Sequence, residues 1–427
     1  MLRSLYKDLV KWKYSSNRKP LILQGARQVG KTWLMKDFGE TQFENTVYLN
    51  FESSERLKGL FSSDFDIKRI ISIIEIEVGY KIDADKCLLI FDEIQEADKG
   101  LTSLKYFYEQ APQYYIIAAG SLLGVSLQKN VSFPVGKVDF MQMYPMNFFE
   151  FLDNIGQYLL LEYLESENWL VVDAFHDKLV ELLRLYYFIG GMPEAVANYI
   201  QFQDLNEVRT IQEKILLGYE NDFAKYAPTE TVPRIKLVWN HLIGQLAKEN
   251  RKFVYGQLKK GSRAKDFETA IAWLADAGLV LKVNIVDKPT IPLNAYTDFD
   301  VFKLFCLDVG LLNAKAQVSP KILLEKNNIL TEFKGALTEQ FVAQQLIIKH
   351  DIFYWTASNA TAEIDFLIQK ENEIVPIEVK AEENLKSKSL KVFFDKFHPK
   401  QAIRFSMNNY RVQDWMVNIP LYGVNNL

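Results

Sequence analysis

Residues 19–24, Lys-Pro-Leu-Ile-Leu-Gln, run without a linker into Gly25-Ala26-Arg27-Gln28-Val29-Gly30-Lys31-Thr32, and a helix-forming stretch follows. An apolar strand that hands over to a glycine-bounded turn and then a helix predicts a parallel α/β sheet, with a ligand at the strand's carboxyl end. The spacing G-x-x-x-x-G-K-T in that context is the phosphate-binding P-loop pattern. Each residue type has a reason. The glycines let backbone N–H groups close around phosphates, and the helix N-terminus adds a positive dipole. Lys31 can reach the β- and γ-phosphates, and the Thr32 hydroxyl can ligate Mg²⁺. Gly25, Ala26, Arg27, Gln28, Val29, Gly30, Lys31 and Thr32 are therefore the candidate nucleotide-binding residues.

A second run, Lys86-Cys-Leu-Leu-Ile-Phe-Asp92-Glu93, is an apolar strand ending in two acids. This is the Walker B arrangement. Asp92 would hold Mg²⁺ and Glu93 would polarise the attacking water. The alternative is a strand that happens to stop at a polar turn. Residues 46–51, 114–119 and 138–143 also read as strands. The third of these four runs ends in Gly120-Ser121, which makes Ser121 the candidate γ-phosphate sensor. Strands alternating with helices predict a doubly wound parallel sheet.

Composition sets the outer limits. The chain has 427 residues, 48% hydrophobic and 24% charged, which suggests about three domains and an ordinary globular protein. A net charge of -4 gives no chain-wide attraction for nucleic acid, so such binding needs local patches. Two cysteines, Cys87 and Cys306, cannot build a disulfide framework, and the four histidines lack H-x-x-x-H spacing. Both facts suit a reducing cytoplasm. The longest apolar run, residues 116–125, is interrupted by Gly120 and Ser121, whereas a bilayer span needs about 20 residues. Leu2, Leu5, Leu9 and Trp12 fall at helical spacing, so the basic N-terminal stretch reads as an amphipathic helix.

From residue 146 to about 226 the pattern is helical and aromatic-rich, broken at Gly190-Gly191-Met192-Pro193, which reads as a helical lid. Residues 238–286 read as a winged helix-turn-helix: two helices, a turn at Gly261-Ser262, a third helix, then an alternating strand opening the wing. Lys248, Arg251, Lys252, Lys259, Lys260, Arg263 and Lys265 stand there against the single acid Glu249. That bias fits contact with DNA phosphates. An intramolecular adaptor with a solvated rim is the competing reading, and Asp266, Glu268 and Asp276 argue against deep groove insertion.

The last hundred residues hold a second constellation. Glu339 lies near the start of a helix, Asp365 on a strand, and Glu378-Val-Lys380 on the strand after the turn at 370–373. This α-β-β-β-α-β order with an Asp and a downstream E-x-K resembles the PD-(D/E)xK nuclease core. Asp365 and Glu378 would converge on one Mg²⁺, Lys380 would share the face of Glu378, and Glu339 could join from the helix. An ion-pair network on a retained fold is the alternative.

Several blocks together resemble prokaryotic AAA-type ATPases in which the P-loop domain is joined to a C-terminal domain of unknown function. They are GARQVGKT at Gly25–Thr32, IFDEIQ at Ile90–Gln95, AAGS at Ala118–Ser121 and YPMNFFEFL at Tyr144–Leu152. To these add GGMPEAV at Gly190–Val196, LDVGLL at Leu307–Leu312, GALTEQFV at Gly335–Val342, EIDFLI at Glu363–Ile368 and IEVK at Ile377–Lys380. Lys137 stands where that family commonly has an arginine, and it lacks the bidentate fork. The resemblance implies an α/β chain with four parts. These are an ATPase core over 1–145, a helical lid over 146–235, a winged helix over 236–310 and a restriction-endonuclease-like domain over 311–427. The expected ligands are ATP and Mg²⁺. DNA is a candidate partner, no membrane is expected, and an oligomer is allowed. The expected activity is ATP hydrolysis used as a switch or motor. The rivals are a nucleotide-gated DNA-binding module with little turnover and an ATP-regulated nuclease.

Overall fold

Parallel sheets are covered on both faces, so their strands are apolar throughout. The first unit of the chain, residues 2–144 with 276–278, holds such a sheet, apolar in its three central strands and alternating in its two edge strands. The computed structural model describes residues 1–120, 134–247, 252–258, 261, 263–324, 331–358, 361–381 and 387–427. β1 (Leu21–Gln24), β2 (Asn45–Asn50), β3 (Cys87–Asp92), β4 (Tyr115–Ala119) and β5 (Asp139–Gln142) form a five-stranded sheet in the order β2-β3-β4-β1-β5. Every pairing in it is parallel. All of β3 is buried, and Phe51, Phe61, Phe91 and Phe107 fill one side of the sheet. Because β1 lies between β4 and β5 and β3 borders β4, the turns after β1 and β3 sit at the same carboxyl edge. The expected N-terminal helix, Leu5–Lys13, buries Leu9 and Trp12, and the Trp12 indole N–H donates to the Lys19 carbonyl at 2.9 Å.

The second unit comprises residues 145–275 and 279–427 together with Met1. Its helices explain the glycine-rich block at 190–193. The Met146 N–H donates to the Gly191 carbonyl at 2.7 Å, and a Cβ on Gly191 would lie 2.0 Å from the Met146 oxygen. Buried Asp308 accepts from the Gly191 N–H (2.6 Å), the Leu311 N–H (3.0 Å) and Gln344 Nε2 (3.1 Å). Burial still pushes its carboxyl up. On the helix Thr331–Leu346, three buried glutamines act as backbone substitutes. Gln340 exchanges two bonds with Cys306, Gln344 accepts from Val309 N–H, and Gln345 accepts from Phe148 N–H. Four of the sequence blocks therefore meet at one buried polar junction.

Helices Val232–Leu246 and Tyr255–Leu258, a short 3₁₀ turn at Ala264–Asp266 and the helix Glu268–Asp276 precede an antiparallel pair, β6 (Val280–Val286) and β7 (Thr297–Cys306). The pair is not free-standing. β6 also pairs in parallel with β8 (Ile352–Thr356), so the sheet continues into β9 (Glu363–Lys370), β10 (Glu373–Val379), β11 (Ile403–Ser406), β12 (Arg411–Val412) and β13 (Val417–Pro420). The order is β12-β13-β11-β10-β9-β8-β6-β7. Trp355, Ile364, Leu367, Leu390 and Phe393 form the core beneath the helix Lys388–Phe397. No helix among the described residues is long and apolar enough to cross a membrane.

Candidate functional site

The loop after β1 has the backbone that its glycines predict. Gly25 and Gly30 adopt φ +147° and +99°, and a Cβ on Gly25 would come within 2.3 Å of the Met143 oxygen. Only glycine fits there. Lys31 opens the helix Lys31–Gln42 and is 7% exposed. Its ammonium donates to the Gly25 and Ala26 carbonyls, each at 2.8 Å. Burial pulls that ammonium down to about 8, against the opposing pull of Glu93 and Asp92. Arg27 lies 3.9 Å from Glu52, and Gln28 has φ +65°.

The end of β3 comes to the same place. Thr32 Oγ1 donates to Asp92 Oδ2 at 2.8 Å, which joins the residues of the two motifs directly. Tyr48 OH donates to that same oxygen at 2.8 Å, and Asn50 Nδ2 donates on to Tyr48 at 3.4 Å. Burial pushes the Tyr48 phenol up to about 12, and the Lys36 ammonium stands 3.8 Å from its ring centroid. Glu93 takes a left-handed backbone, φ +51°, and Gln95 Nε2 donates to its Oε2 at 2.5 Å. A non-glycine residue there is uncommon and marks a position held by its surroundings. Sequence reasoning missed Tyr48 and Gln95. Tyr48 had a signal: in the run 46–51 it and Asn50 alternate with Val47, Leu49 and Phe51, so they share the side away from the core. Ser121 lies outside the described residues. Lys137 pairs with Glu109 at 3.0 Å and lies 5.4 Å from the Tyr108 ring centroid.

The donor set fits a hard cation. A hydroxyl and a carboxylate oxygen 2.8 Å apart, at the carboxyl edge of a parallel sheet, are the ligand types Mg²⁺ accepts.

In the second unit, strand pairing brings part of the C-terminal constellation together. The β9–β10 register runs to Phe366 opposite Ile377, and one further step sets Asp365 beside Glu378. Asp365 Oδ2 accepts from the Val379 N–H at 2.8 Å, and Lys380 Nζ lies 2.7 Å from Glu378 Oε1. The shared face expected for Glu378 and Lys380 is thus accompanied by a direct ion pair. Burial pushes the Glu378 carboxyl up, and its Oε2 is buried without a hydrogen bond among the described residues. Arg404 pairs in register with Glu378 and then with Asn418, and its guanidinium donates to Asn418 Oδ1 at 2.8 Å.

Glu339, expected near the rim of this pair, is 3% exposed and has a buried lysine beside it. Its Oε2 lies 3.8 Å from Nζ of Lys303, a fully buried lysine on β7. The same ammonium is 2.5 Å from Glu363 Oε1 and 4.9 Å from the Tyr354 ring centroid. The β8–β9 register shifts between the Phe353–Leu367 and Trp355–Ile364 pairs, so β9 carries one extra residue there, and Ile364 and Leu367 both face the core beneath the 388–397 helix. Among the described residues, no group of three or more His, Cys, Asp or Glu side chains is placed to hold a metal ion. Lys303 gave no sequence signal, because a lysine on an alternating strand normally reads as solvated.

Of the basic stretch, Lys252, Arg263 and Lys265 are described. Arg263 and Lys265 are exposed, and the Arg263 N–H donates to Asp266 Oδ2 at 2.9 Å. Lys248, Arg251, Lys259 and Lys260 lie outside the described residues.

Comparison with known proteins adds three family matches. Residues 17–152 match the AAA domain family, 180–322 a domain of unknown function termed DUF8612, and 334–422 a second such domain, DUF4143. No curated protein matches. Solved structures similar to this chain include the Walker-type ATPase of Pyrococcus abyssi, at 14% identity and TM-score 0.48, covering 74% of this chain and 96% of that one. They also include the Aeropyrum pernix Orc1 protein in complex with DNA, at 11% identity and TM-score 0.27, covering 74% and 90%. The chain carries an AAA-type P-loop ATPase domain.

Proposed function

We propose that this domain binds ATP with Mg²⁺ and hydrolyses it as a switch or small motor that works on DNA. The observation that carries the reading is the meeting of Thr32 and Asp92 at 2.8 Å, with Lys31 beside them and Glu93 next in the chain. Backbone N–H groups of residues 25–32 would cradle the phosphates. Lys31 would exchange its two carbonyl partners for β- and γ-phosphate oxygens. Thr32 and Asp92 would hold Mg²⁺, which when bound would neutralise charge on the transferring phosphate. Glu93, steadied by Gln95, would orient the attacking water and take its proton. Tyr48 would keep Asp92 aimed at the metal position.

Assays of the Glu93→Gln and Lys31→Ala variants, with and without duplex DNA, test this reading. Glu93→Gln should bind ATP as wild type does and lose turnover by about 10²- to 10⁴-fold, the usual worth of a general base. Lys31→Ala should lose binding as well. Wild-type turnover in Glu93→Gln would remove that residue from the mechanism. Turnover indifferent to DNA would remove DNA as the partner.

The helix order over 232–276, followed by β6 and β7, supports a winged-helix reading of that segment, with the basic stretch as its DNA-facing rim. A second reading, an ATP-regulated nuclease, is favoured by Asp365, Glu378 and Lys380 lying together in an α-β-β-β-α-β order. In it, Asp365 and Glu378 would hold one Mg²⁺ and Lys380 would orient water.

A further inference from the structure

Arg3 lies well before residue 17, where the match to the AAA domain begins, yet it reaches the phosphate loop. It is 8% exposed. Nη1 donates to the Val29 carbonyl at 2.8 Å, and Nη2 donates to the Tyr144 carbonyl at 2.6 Å. The helix that follows it is fixed to this unit by Leu9 and Trp12, so the guanidinium is delivered from an anchored element.

The consequence follows from peptide geometry. In a planar trans peptide the C=O and the N–H of one unit point in opposite directions. The Val29 carbonyl and the Gly30 N–H belong to the same unit. Holding the carbonyl outward on a charged fork therefore aims the Gly30 N–H into the loop, where a phosphate would sit. The other end of the loop is fixed by the same stretch of backbone. Gly25 packs against the Met143 oxygen, and the Met143 N–H donates to the Gln24 carbonyl at 2.8 Å. Both ends of the phosphate loop are thus referred to residues 143–144, one by van der Waals contact and one through Arg3.

We propose that Arg3 is a positioning residue for the phosphate loop, bridging Val29 to Tyr144 so that the Gly30 N–H is pre-aimed at a bound phosphate. The proposal rests on the ATP-binding reading above. A guanidinium suits the task because its planar fork serves two carbonyls at once, whereas an ammonium is a point donor.

The test is binding of a fluorescent ADP, mant-ADP, to full-length wild type, Arg3→Met and Arg3→Lys, with thermal unfolding of each measured in parallel. Arg3→Met should weaken binding about 10- to 100-fold, the range for losing charge-assisted hydrogen bonds. Arg3→Lys, which keeps the charge and can serve one carbonyl, should fall between Arg3→Met and wild type while unfolding at the wild-type temperature. Arg3→Met binding within twofold of wild type would overturn the proposal. So would Arg3→Lys binding that falls only in step with a lower unfolding temperature, since that is a purely structural role. Wild type that does not bind mant-ADP would instead overturn the nucleotide reading, and the proposal with it.

Discussion

Lys303→Met isolates the energetics of a charge placed entirely out of water. Methionine keeps much of the stem's volume and removes only the ammonium. Two carboxylates face that position: Glu363 at 2.5 Å, with a side chain 25% exposed, and Glu339 at 3.8 Å, with a side chain 4% exposed. Glu363 can recover some hydration, and Glu339 cannot. Removing one partner of a buried ion pair costs about 3–5 kcal/mol, because an uncompensated charge is left behind. The partial access at Glu363 places this variant near the lower end, about 3 kcal/mol. The Tyr354 ring also loses its cation, worth about 1 kcal/mol more. Neutralising all three groups, Lys303→Met with Glu339→Gln and Glu363→Gln, should return most of the loss, since the desolvation cost goes with the charges. Urea unfolding followed by circular dichroism, read as the shift in midpoint at constant slope, checks both. A single variant that loses less than about 1 kcal/mol, or a triple variant no more stable than the single, would refute the reasoning.

Two other outcomes are expected. Because burial lowers the Lys31 ammonium to about 8, below its ordinary value of 10.5, the free protein loses that charge as pH rises through 8. ADP affinity should then fall up to tenfold per pH unit above about 8, while the linked contribution to folding stability rises between 8 and 10.5 as the buried group sheds its proton. Titration of ADP binding at pH 7 to 10 measures this, and a flat affinity would contradict it. At the C-terminal pair, the nuclease reading predicts cleavage of single- or double-stranded DNA with Mg²⁺ or Mn²⁺ that vanishes in Asp365→Ala and in Lys380→Ala without loss of ATP turnover; no cleavage by wild type would remove that reading. Cleavage that survives either change would place the activity elsewhere.

The phosphate-binding half was legible because its chemistry is local. A strand, a glycine-bounded turn and a helix start lie within about 15 residues, and the pattern needs no distant partner. The same holds for Asp365, Glu378 and Lys380, which one hairpin and one alternation bring together. What escaped the sequence was set by long-range pairing. Tyr48 reaches Asp92 across 44 positions, Arg3 reaches Tyr144 across 141, and Lys303 meets Glu363 across 60. In each case the residue type alone reads as an ordinary surface or core side chain. The lysine beside Glu339 escaped for a related reason. The helix of Glu339 was predicted, but its partner on β7 depends on a sheet that closes between segments far apart. The glycines at 190 and 191 read as a break in helical pattern, whereas their role, like that of Gly310, is close approach: added Cβ atoms at 190, 191 and 310 would meet Asp308, Met146 and Ile189 oxygens at 2.1, 2.0 and 2.5 Å.

The parallel pairing of β6 with β8, Asn284 to Phe353 and Ile285 to Tyr354, bears on where the polypeptide can be severed. A fragment beginning after residue 310 would keep β8 but surrender its neighbour. It would present a bare row of amides and carbonyls, the kind of border that seeks another chain and drives aggregation. It would also shed Lys303 while retaining Glu339 and Glu363, adding an electrostatic fault to a sticky margin. A cleaner incision falls at Tyr144–Pro145, where the backbone passes from one sheet-bearing unit to the other without dividing a ladder.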